Sequence, residues 1–151
     1  MFFDRKITFF ELEVDNQEDA LKKLADNLYT ANLVTSSFHA GILEREKDYP
    51  TGLGTVPYGV AIPHTNADKV IIPQIAFASL KSPVKFRMMG SQDEEVDVSV
   101  IFMLALNKAE DQLAMLQKLM EVIENQALLT EFARCKNQDE FEKLLERIGL
   151  E

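Results

Sequence analysis

Hydrophobic and polar positions along this chain follow two periods, which predicts strands interleaved with helices. Residues 7–14 alternate loosely between apolar and polar side chains and include Phe9 and Phe10, as expected of a first strand. Short apolar runs predict further strands at residues 60–62, 74–80, 84–88 and 96–106. The last run is nearly all apolar, which is typical of a central strand covered on both faces.

Helical periodicity with a capping pair in front predicts three of the helices. The pairs, each three residues apart, are Asp15/Glu18, Asn107/Glu110 and Asn137/Glu140. The first helix is expected to bury Leu21, Leu24, Ala25 and Leu28, and the helix after Asn107 to bury Leu113, Leu116, Met120 and Ile123. The helix after Asn137 is expected at residues 138–147, and the two remaining helices from Thr35 or Ser36 to Lys47 and at residues 126–133.

These elements predict an α/β fold, a single layered domain over residues 1–151 with helices on both faces of a mixed central β-sheet. No repeat, low-complexity tract or Ser/Gly-rich linker divides the chain. The hairpin-like spacing of the middle strands favours a mixed sheet over a purely parallel one.

Composition excludes several classes of protein. A net charge of -9 argues against a nucleic-acid binder, which needs a basic face to neutralise phosphates. The single cysteine, Cys135, excludes an internal disulfide and a cysteine-based zinc cluster. The chain shows neither a secretory leader nor an apolar run of the roughly 20 residues that span a bilayer, so we expect a cytoplasmic protein.

The candidate chemistry lies around His64, which follows a short apolar strand and Pro63. Pro63 fixes the backbone just before the imidazole, and a histidine of ordinary pKa, about 6.5, offers a neutral nucleophile near pH 7. Arg45 is a candidate partner, because its guanidinium can bind phosphate oxygens in a bidentate manner. From the residues alone, His64 also fits a structural histidine and Arg45 a solvated charge.

Other reactive residue types lack the pattern that their chemistry needs. The glycines of residues 51–59 match neither a dinucleotide fingerprint nor a phosphate-binding loop followed by Lys-Ser/Thr. His39 lies 25 residues before His64, which is no usual metal-ligand spacing. Cys135 has cationic neighbours but nothing else typical of a nucleophile site. We therefore expect neither a nucleotide nor a metal cofactor.

Three segments carry a resemblance to a known family: Glu44-Arg45-Glu46, Tyr49-Pro50-Thr51-Gly52-Leu53 and Val60-Ala61-Ile62-Pro63-His64. Together with residues 94–125, they resemble the enzyme IIA domain of the fructose/mannitol class of the bacterial sugar phosphotransferase system, and most of all its galactitol-type branch. The resemblance implies that His64 is the phosphorylated histidine and Arg45 the phosphate-binding arginine. At the position of a second active-site histidine in mannitol- and fructose-type members, this chain has Gln112, whose amide donates hydrogen bonds but carries no charge.

The same resemblance implies a phosphotransferase that works without nucleotide or metal. His64 would accept a phosphoryl group from the histidine phosphocarrier protein HPr and pass it to a cysteine of a cognate enzyme IIB. The membrane-embedded enzyme IIC would be an indirect partner in the uptake of a sugar alcohol or related sugar. Two alternatives stay open: a free-standing regulatory phosphoprotein of the same fold, and a small hydrolase or metal-dependent enzyme that uses His64 as a general base.

Overall fold

The computed structural model describes residues 2–150, which form five strands, five α-helices and one 3-10 turn at Ala67–Lys69. The strands are β1 (Thr8–Leu12), β2 (Gly52–Leu53), β3 (Gly59–Ala61), β4 (Gln74–Arg87) and β5 (Glu95–Ala105). The helices are α1 (Gln17–Thr30), α2 (Phe38–Asp48), α3 (Ala109–Glu124), α4 (Gln126–Ala133) and α5 (Gln138–Ile148). The interleaved order confirms the predicted α/β class.

One mixed sheet joins all five strands in the order β1-β4-β5-β3-β2. The pairs β1/β4 and β3/β5 are parallel, while β4/β5 and β2/β3 are antiparallel. Strand β5 therefore occupies the centre of the sheet, as its apolar sequence predicts. Because β3 and β5 are parallel, their carboxyl ends lie at the same edge of the sheet.

The sheet separates two hydrophobic cores. On one face, residues of α1 and α2 pack against alternate positions of the strands, among them Ala61, Ile101 and Met103. On the other face, residues of α3, α4 and α5 cover Val60, Val100 and Phe102. Alternation along β3 and β5 thus supplies side chains to both faces, and the predicted placement of helices on both faces is confirmed.

Two of the predicted strands are one strand. Residues 74–80 and 84–87 belong to β4, both halves of which pair with β5 across an irregularity between Ser79 and Val84, and the second predicted strand exceeds β4 by residue 88. Pro83 lies in this irregularity, where it interrupts the apolar pattern without ending the strand. Conversely, β2 lies inside residues 51–59, where the apolar pattern predicts no strand.

The capping residues of α1 and α3 differ from the prediction, whereas that of α5 agrees. Asn16, not Asp15, caps α1 by accepting the N–H of Asp19 at 2.8 Å. Helix α3 begins after Lys108 and has no side-chain cap, so the cap predicted at Asn107 is wrong. Asn137 caps α5 as predicted, accepting the N–H of Glu140 at 2.9 Å.

The buried face of α3 is offset from the predicted one. Leu119, Val122 and Ile123 are buried, whereas Leu113 is 59% exposed and Met120 is 40% exposed. The predicted and the observed faces share Ile123 and partly buried Leu116, so the stripe that packs lies beside the predicted stripe. Apolar side chains are therefore left on the solvent side of this helix.

Candidate functional site

His64 lies three residues beyond the carboxyl end of β3, at the edge of the sheet. Pro63 separates it from the strand, and the N–H of Leu104 in β5 donates to the carbonyl oxygen of Pro63 at 2.9 Å. An isolated parallel bridge also joins His64 itself to Leu104. The backbone beneath the imidazole is thus tied to the central strand, and the predicted position of His64 at a strand end is correct.

The imidazole is oriented by its own chain. Its Nδ1 lies 3.1 Å from the carbonyl oxygen of Ile62, which is a hydrogen-bond acceptor only. Nδ1 must therefore carry the proton in this contact, so that in the neutral ring Nε2 keeps its lone pair. The contact selects the neutral tautomer in which the lone pair of Nε2 is available.

Burial favours this neutral form. The pKa of His64 is lowered below its ordinary value of 6.5, mainly because burial removes water from the charged ring. The positive charge of Arg45 lowers the pKa further, while the hydrogen bond to Ile62 opposes the shift. A neutral nucleophilic imidazole is the expected state of this side chain at pH 7.

Helix α2 brings Arg45 to the same place. At Gly41, one turn earlier, α2 lies so close to the segment after His64 that a Cβ would stand 2.8 Å from Oγ1 of Thr65 and 2.7 Å from Cε of Lys69. Four residues further along the same helix face, Arg45 borders a cavity of about 380 Å³ that His64 also lines. The structure therefore brings together two of the three residues that the sequence singles out.

The cavity is open, and its other walls come from two segments. One is the carboxyl end of α2 with the following turn, which includes Tyr49 and Thr51. The other is the loop of residues 89–92 after β4, held to α2 by a hydrogen bond from Nε2 of Gln92 to the carbonyl oxygen of Asp48 at 3.1 Å. The site is therefore shallow and open to solvent.

A buried carboxylate fixes the turn. Glu46 is only 2% exposed, and its Oε1 accepts the N–H of Thr51 at 2.8 Å while the Thr51 hydroxyl contacts both carboxylate oxygens. Burial raises the pKa of Glu46 above its ordinary value, and the hydrogen bonds from Thr51 oppose this shift. The contact holds Thr51 against Glu46 and so fixes the turn between Arg45 and the start of β2.

Gln112 stands apart from this cavity. It lies half-buried in the first turn of α3, where its N–H donates to the carbonyl oxygen of Lys108 at 3.1 Å. Among residues 2–150, no hydrogen bond joins its amide to His64, and it does not line the cavity that His64 shares with Arg45. A role for Gln112 in the chemistry stays a prediction.

Sequence reasoning assigned no role to Glu46, Tyr49 or the loop of residues 89–92, although Glu46 and Tyr49 lie in segments that carry the family resemblance. Tyr49 follows Arg45 by four residues, the spacing at which helical side chains meet, so this neighbour had a sequence signal. The loop had none, because its place beside α2 depends on the length and path of β4.

The remaining candidates lie elsewhere. Cys135 is buried beyond α4, and burial raises the pKa of its thiol to about 11, which makes it a poor nucleophile. In the part of the chain that the structure describes, no three His, Cys, Asp or Glu side chains are grouped so that they could hold a metal ion. None of the helices formed by residues 2–150 has the length and apolar character needed to cross a bilayer.

Comparison with known families identifies the family to which this chain belongs. The family "Phosphoenolpyruvate-dependent sugar phosphotransferase system, EIIA 2" matches residues 1–148. The chain belongs to this EIIA family. The resemblance seen in the sequence is thereby confirmed at the level of the family.

Two known proteins are similar to about two thirds of this EIIA chain. Transcriptional regulator ManR of Bacillus subtilis is 33% identical over 106 residues, which are 70% of this chain and 15% of ManR. Multiphosphoryl transfer protein 1 of Escherichia coli is 31% identical over 104 residues, 68% of this chain and 12% of that protein. The chain thus spans 15% or less of the length of these two relatives.

A solved structure supports the fold. A chain in the complex of enzyme IIA(Mtl) and phosphorylated enzyme IIB(Mtl) from Escherichia coli matches with a TM-score of 0.76 at 21% identity. The match covers 93% of this chain and 94% of that one. At this level of identity, the likeness concerns the fold alone.

Proposed function

We propose that this EIIA chain is a phosphocarrier in which Nε2 of His64 accepts a phosphoryl group from phospho-HPr and passes it to a cysteine of an enzyme IIB. The observation that carries the proposal is the contact between Nδ1 of His64 and the carbonyl oxygen of Ile62, which leaves Nε2 free beside Arg45. The protein would act in the cytoplasm as a single domain spanning residues 1–151.

Each transfer exchanges one bond to phosphorus for another. In the first step the lone pair on Nε2 attacks phosphorus, the P–N bond to the donor histidine breaks, and its electron pair returns to the donor ring. The proton on Nδ1 stays in its hydrogen bond with Ile62. In the second step a thiolate of the enzyme IIB attacks phosphorus, and the electron pair of the P–Nε2 bond returns to His64.

The protein's contribution is position and charge. Phosphoryl transfer spreads negative charge over three oxygens, which a guanidinium can bind through two parallel N–H groups. Arg45 is suited to this task because it borders the same open cavity as His64. We infer that the Gln112 amide and the backbone N–H groups of Thr65 and Asn66 supply neutral donors when the partner docks.

The decisive experiment measures phosphorylation of the intact chain. The protein is mixed with phosphoenolpyruvate, enzyme I and HPr, and its intact mass is compared with those of His64→Ala and of the matched control His39→Ala. We expect one acid-labile phosphoryl group on the wild type and on His39→Ala, and none on His64→Ala. Absence of transfer to the wild type would contradict the phosphocarrier function.

Arg45 is tested in the same assay. We expect Arg45→Ala to slow transfer by about a hundredfold, the usual effect of removing one donor that stabilises developing negative charge. Rates within about twofold of wild type, on a folded variant, would return Arg45 to the role of a solvated charge.

A regulatory role is the second candidate, because a 33% identical relative is the transcriptional regulator ManR. Both roles begin with phosphorylation of His64, so the recipient separates them. Loss of the phosphoryl group to the cysteine of a galactitol-type enzyme IIB supports transport, with enzyme IIC as the indirect membrane partner. Retention of the phosphoryl group in the presence of that enzyme IIB favours regulation.

The substrate of the system is proposed from the resemblance of the sequence to the galactitol-type branch. We propose that it is a galactitol-like sugar alcohol.

A further inference from the structure

Arg45 reaches the cavity with its polar atoms unused. Its Nε is buried, yet no acceptor among residues 2–150 forms a hydrogen bond with it. Nor does any carboxylate in that part of the chain form an ion pair with its guanidinium. Buried donors without a partner are rare in folded proteins, so this one calls for an explanation.

What holds the guanidinium is an aromatic ring. The central carbon of the Arg45 guanidinium lies 4.9 Å from the centroid of the Tyr49 ring, within the range of a cation–π contact. Tyr49 is 65% exposed and belongs to neither hydrophobic core. The ring therefore meets Arg45 on one side and solvent over most of its surface, and core packing does not account for its position.

The backbone beneath Tyr49 is anchored on both sides. Its N–H donates to the carbonyl oxygen of Arg45 at 2.7 Å as α2 ends. Two residues later, Thr51 is held by the buried Glu46 carboxylate, and Pro50 between them restricts the chain. The ring is thus attached to a fixed turn rather than to a mobile loop.

A ring face differs from a carboxylate as a support for arginine. A carboxylate would occupy two of the guanidinium N–H groups and offset the positive charge that a phosphate needs. An aromatic face attracts the cation without accepting any of its five N–H groups. Arg45 can therefore be held in one orientation while both its charge and its donors stay available.

We propose that Tyr49 is a positioning residue, whose ring holds the Arg45 guanidinium beside His64 with its donors free for the oxygens of the transferred phosphoryl group. This inference rests on the proposed function of His64. Tyr49 acts through Arg45 and does not itself take part in the transfer.

The test compares single-turnover rates of phosphoryl transfer from phospho-HPr to the full chain. Tyr49→Phe keeps the ring, and Tyr49→Leu removes it. Tyr29→Leu serves as the matched control, because Tyr29 is also exposed, at 52%, and lies at the end of another helix. We expect Tyr49→Leu to slow transfer by about threefold to thirtyfold, with Tyr49→Phe and Tyr29→Leu within about twofold of wild type.

A double-mutant cycle shows whether Tyr49 acts through Arg45. In an Arg45→Gln background, Tyr49→Leu is expected to cause no further slowing, because the cation it would hold is gone. The NMR signal of the Arg45 Nε–H group provides a readout besides activity. Its ring-current shift should persist in Tyr49→Phe and disappear in Tyr49→Leu, and the amide spectrum reports whether each variant is folded.

The outcomes separate this inference from the function on which it rests. A wild type that takes no phosphoryl group overturns both. A wild type that is phosphorylated on His64, with Tyr49→Leu equally fast, overturns the positioning role alone. Equal slowing by Tyr49→Leu with and without Arg45 does the same. Should Tyr49→Leu fail to fold, Tyr49→Trp replaces it: its larger ring face should keep the wild-type rate, and a rate as low as that of Arg45→Gln would contradict the proposal.

Discussion

The Nδ1 atom of His64 and the carbonyl oxygen of Ile62 lie 3.1 Å apart, on either side of a proline. Pro63 limits the backbone between them, and its own carbonyl oxygen is held by the N–H of Leu104 in the central strand. The imidazole is therefore oriented by three consecutive residues together with one backbone hydrogen bond across the sheet. This local arrangement determines which nitrogen is free to react.

The same arrangement leads to a prediction for the titration of His64. Its pKa should lie below 6.5 in the folded protein, because burial and the Arg45 charge both disfavour the imidazolium. Arg45→Gln keeps much of the side-chain volume but removes the charge, so it should raise the pKa while leaving it below 6.5, since burial is the larger cause. An NMR titration of the imidazole Cε1–H signal in both proteins measures these values.

The lowered pKa of His64 should also make the free energy of unfolding depend on pH in a defined direction. A histidine whose pKa is lowered on folding is neutral in the folded state at pH values where the unfolded chain already binds a proton. The free energy of unfolding should therefore fall as the pH drops through 6.5 toward the lowered pKa, and His64→Gln should lack this component. A His64 pKa at or above 6.5 in the wild type would contradict both statements.

Glu46 gives a second prediction, of opposite sign. Burial raises its pKa above the ordinary value of 4.5, so the folded state binds the proton more tightly than the unfolded chain. Stability from this group is present in full below pH 4.5 and is lost as the pH rises through the raised pKa. Glu46→Gln, which can still accept the Thr51 N–H, should flatten this part of the profile and match or exceed wild-type stability at pH 7.

The measurement is urea unfolding of both proteins between pH 4 and pH 8. Glu131→Gln is a suitable control, because Glu131 is exposed and pairs with Arg147 at the surface, so burial does not govern its titration. A pH profile for Glu46→Gln that parallels the wild type would show that the Glu46 carboxylate does not titrate with a raised pKa.

How far the sequence predicts this site depends on whether each relationship is local. The short apolar strand ending in Pro63 was enough to put His64 at a strand end, because both features are local. The sequence spacing of Arg45 fits a site residue and a solvated charge equally well. Only the family resemblance indicates that Arg45 lies near His64. Its actual approach depends on Gly41 packing against Thr65, a contact between distant parts of the chain.

The errors in the predicted fold also arise where the structure depends on contacts between distant parts of the chain. Along α3 two overlapping apolar stripes satisfy helical periodicity, and the sheet selects the one that contains Leu119 and Val122 rather than Leu113 and Met120. Within β4, Pro83 resembles a strand break, yet pairing with β5 continues on both sides of it. In each case a tertiary contact decides between local patterns that the sequence leaves equivalent.

Gly59 gives the last prediction, which concerns the strand that carries His64. A Cβ on this residue would lie 1.9 Å from the backbone carbonyl oxygen of Asp97 in β5, closer than any real contact. Because the obstacle is backbone, it can be relieved only by moving β3 away from the central strand. We expect Gly59→Ala to lower the free energy of unfolding by about 3 kcal/mol, the upper part of the usual range for overpacking.

Gly54→Ala is the matched control in the same segment. Its Cβ would lie 3.1 Å from Cγ1 of Val96, an atom of a partly buried side chain that can shift more easily than a backbone carbonyl, so the change should stay within about 1 kcal/mol. Urea unfolding of the two variants compares these costs, and the proposed phosphorylation of His64 would report whether β3 has moved. Because β3 positions the imidazole, Gly59→Ala should also accept the phosphoryl group more slowly under conditions where it remains folded. A Gly59→Ala protein as stable and as fast as Gly54→Ala would mean that β3 does not approach β5 this closely.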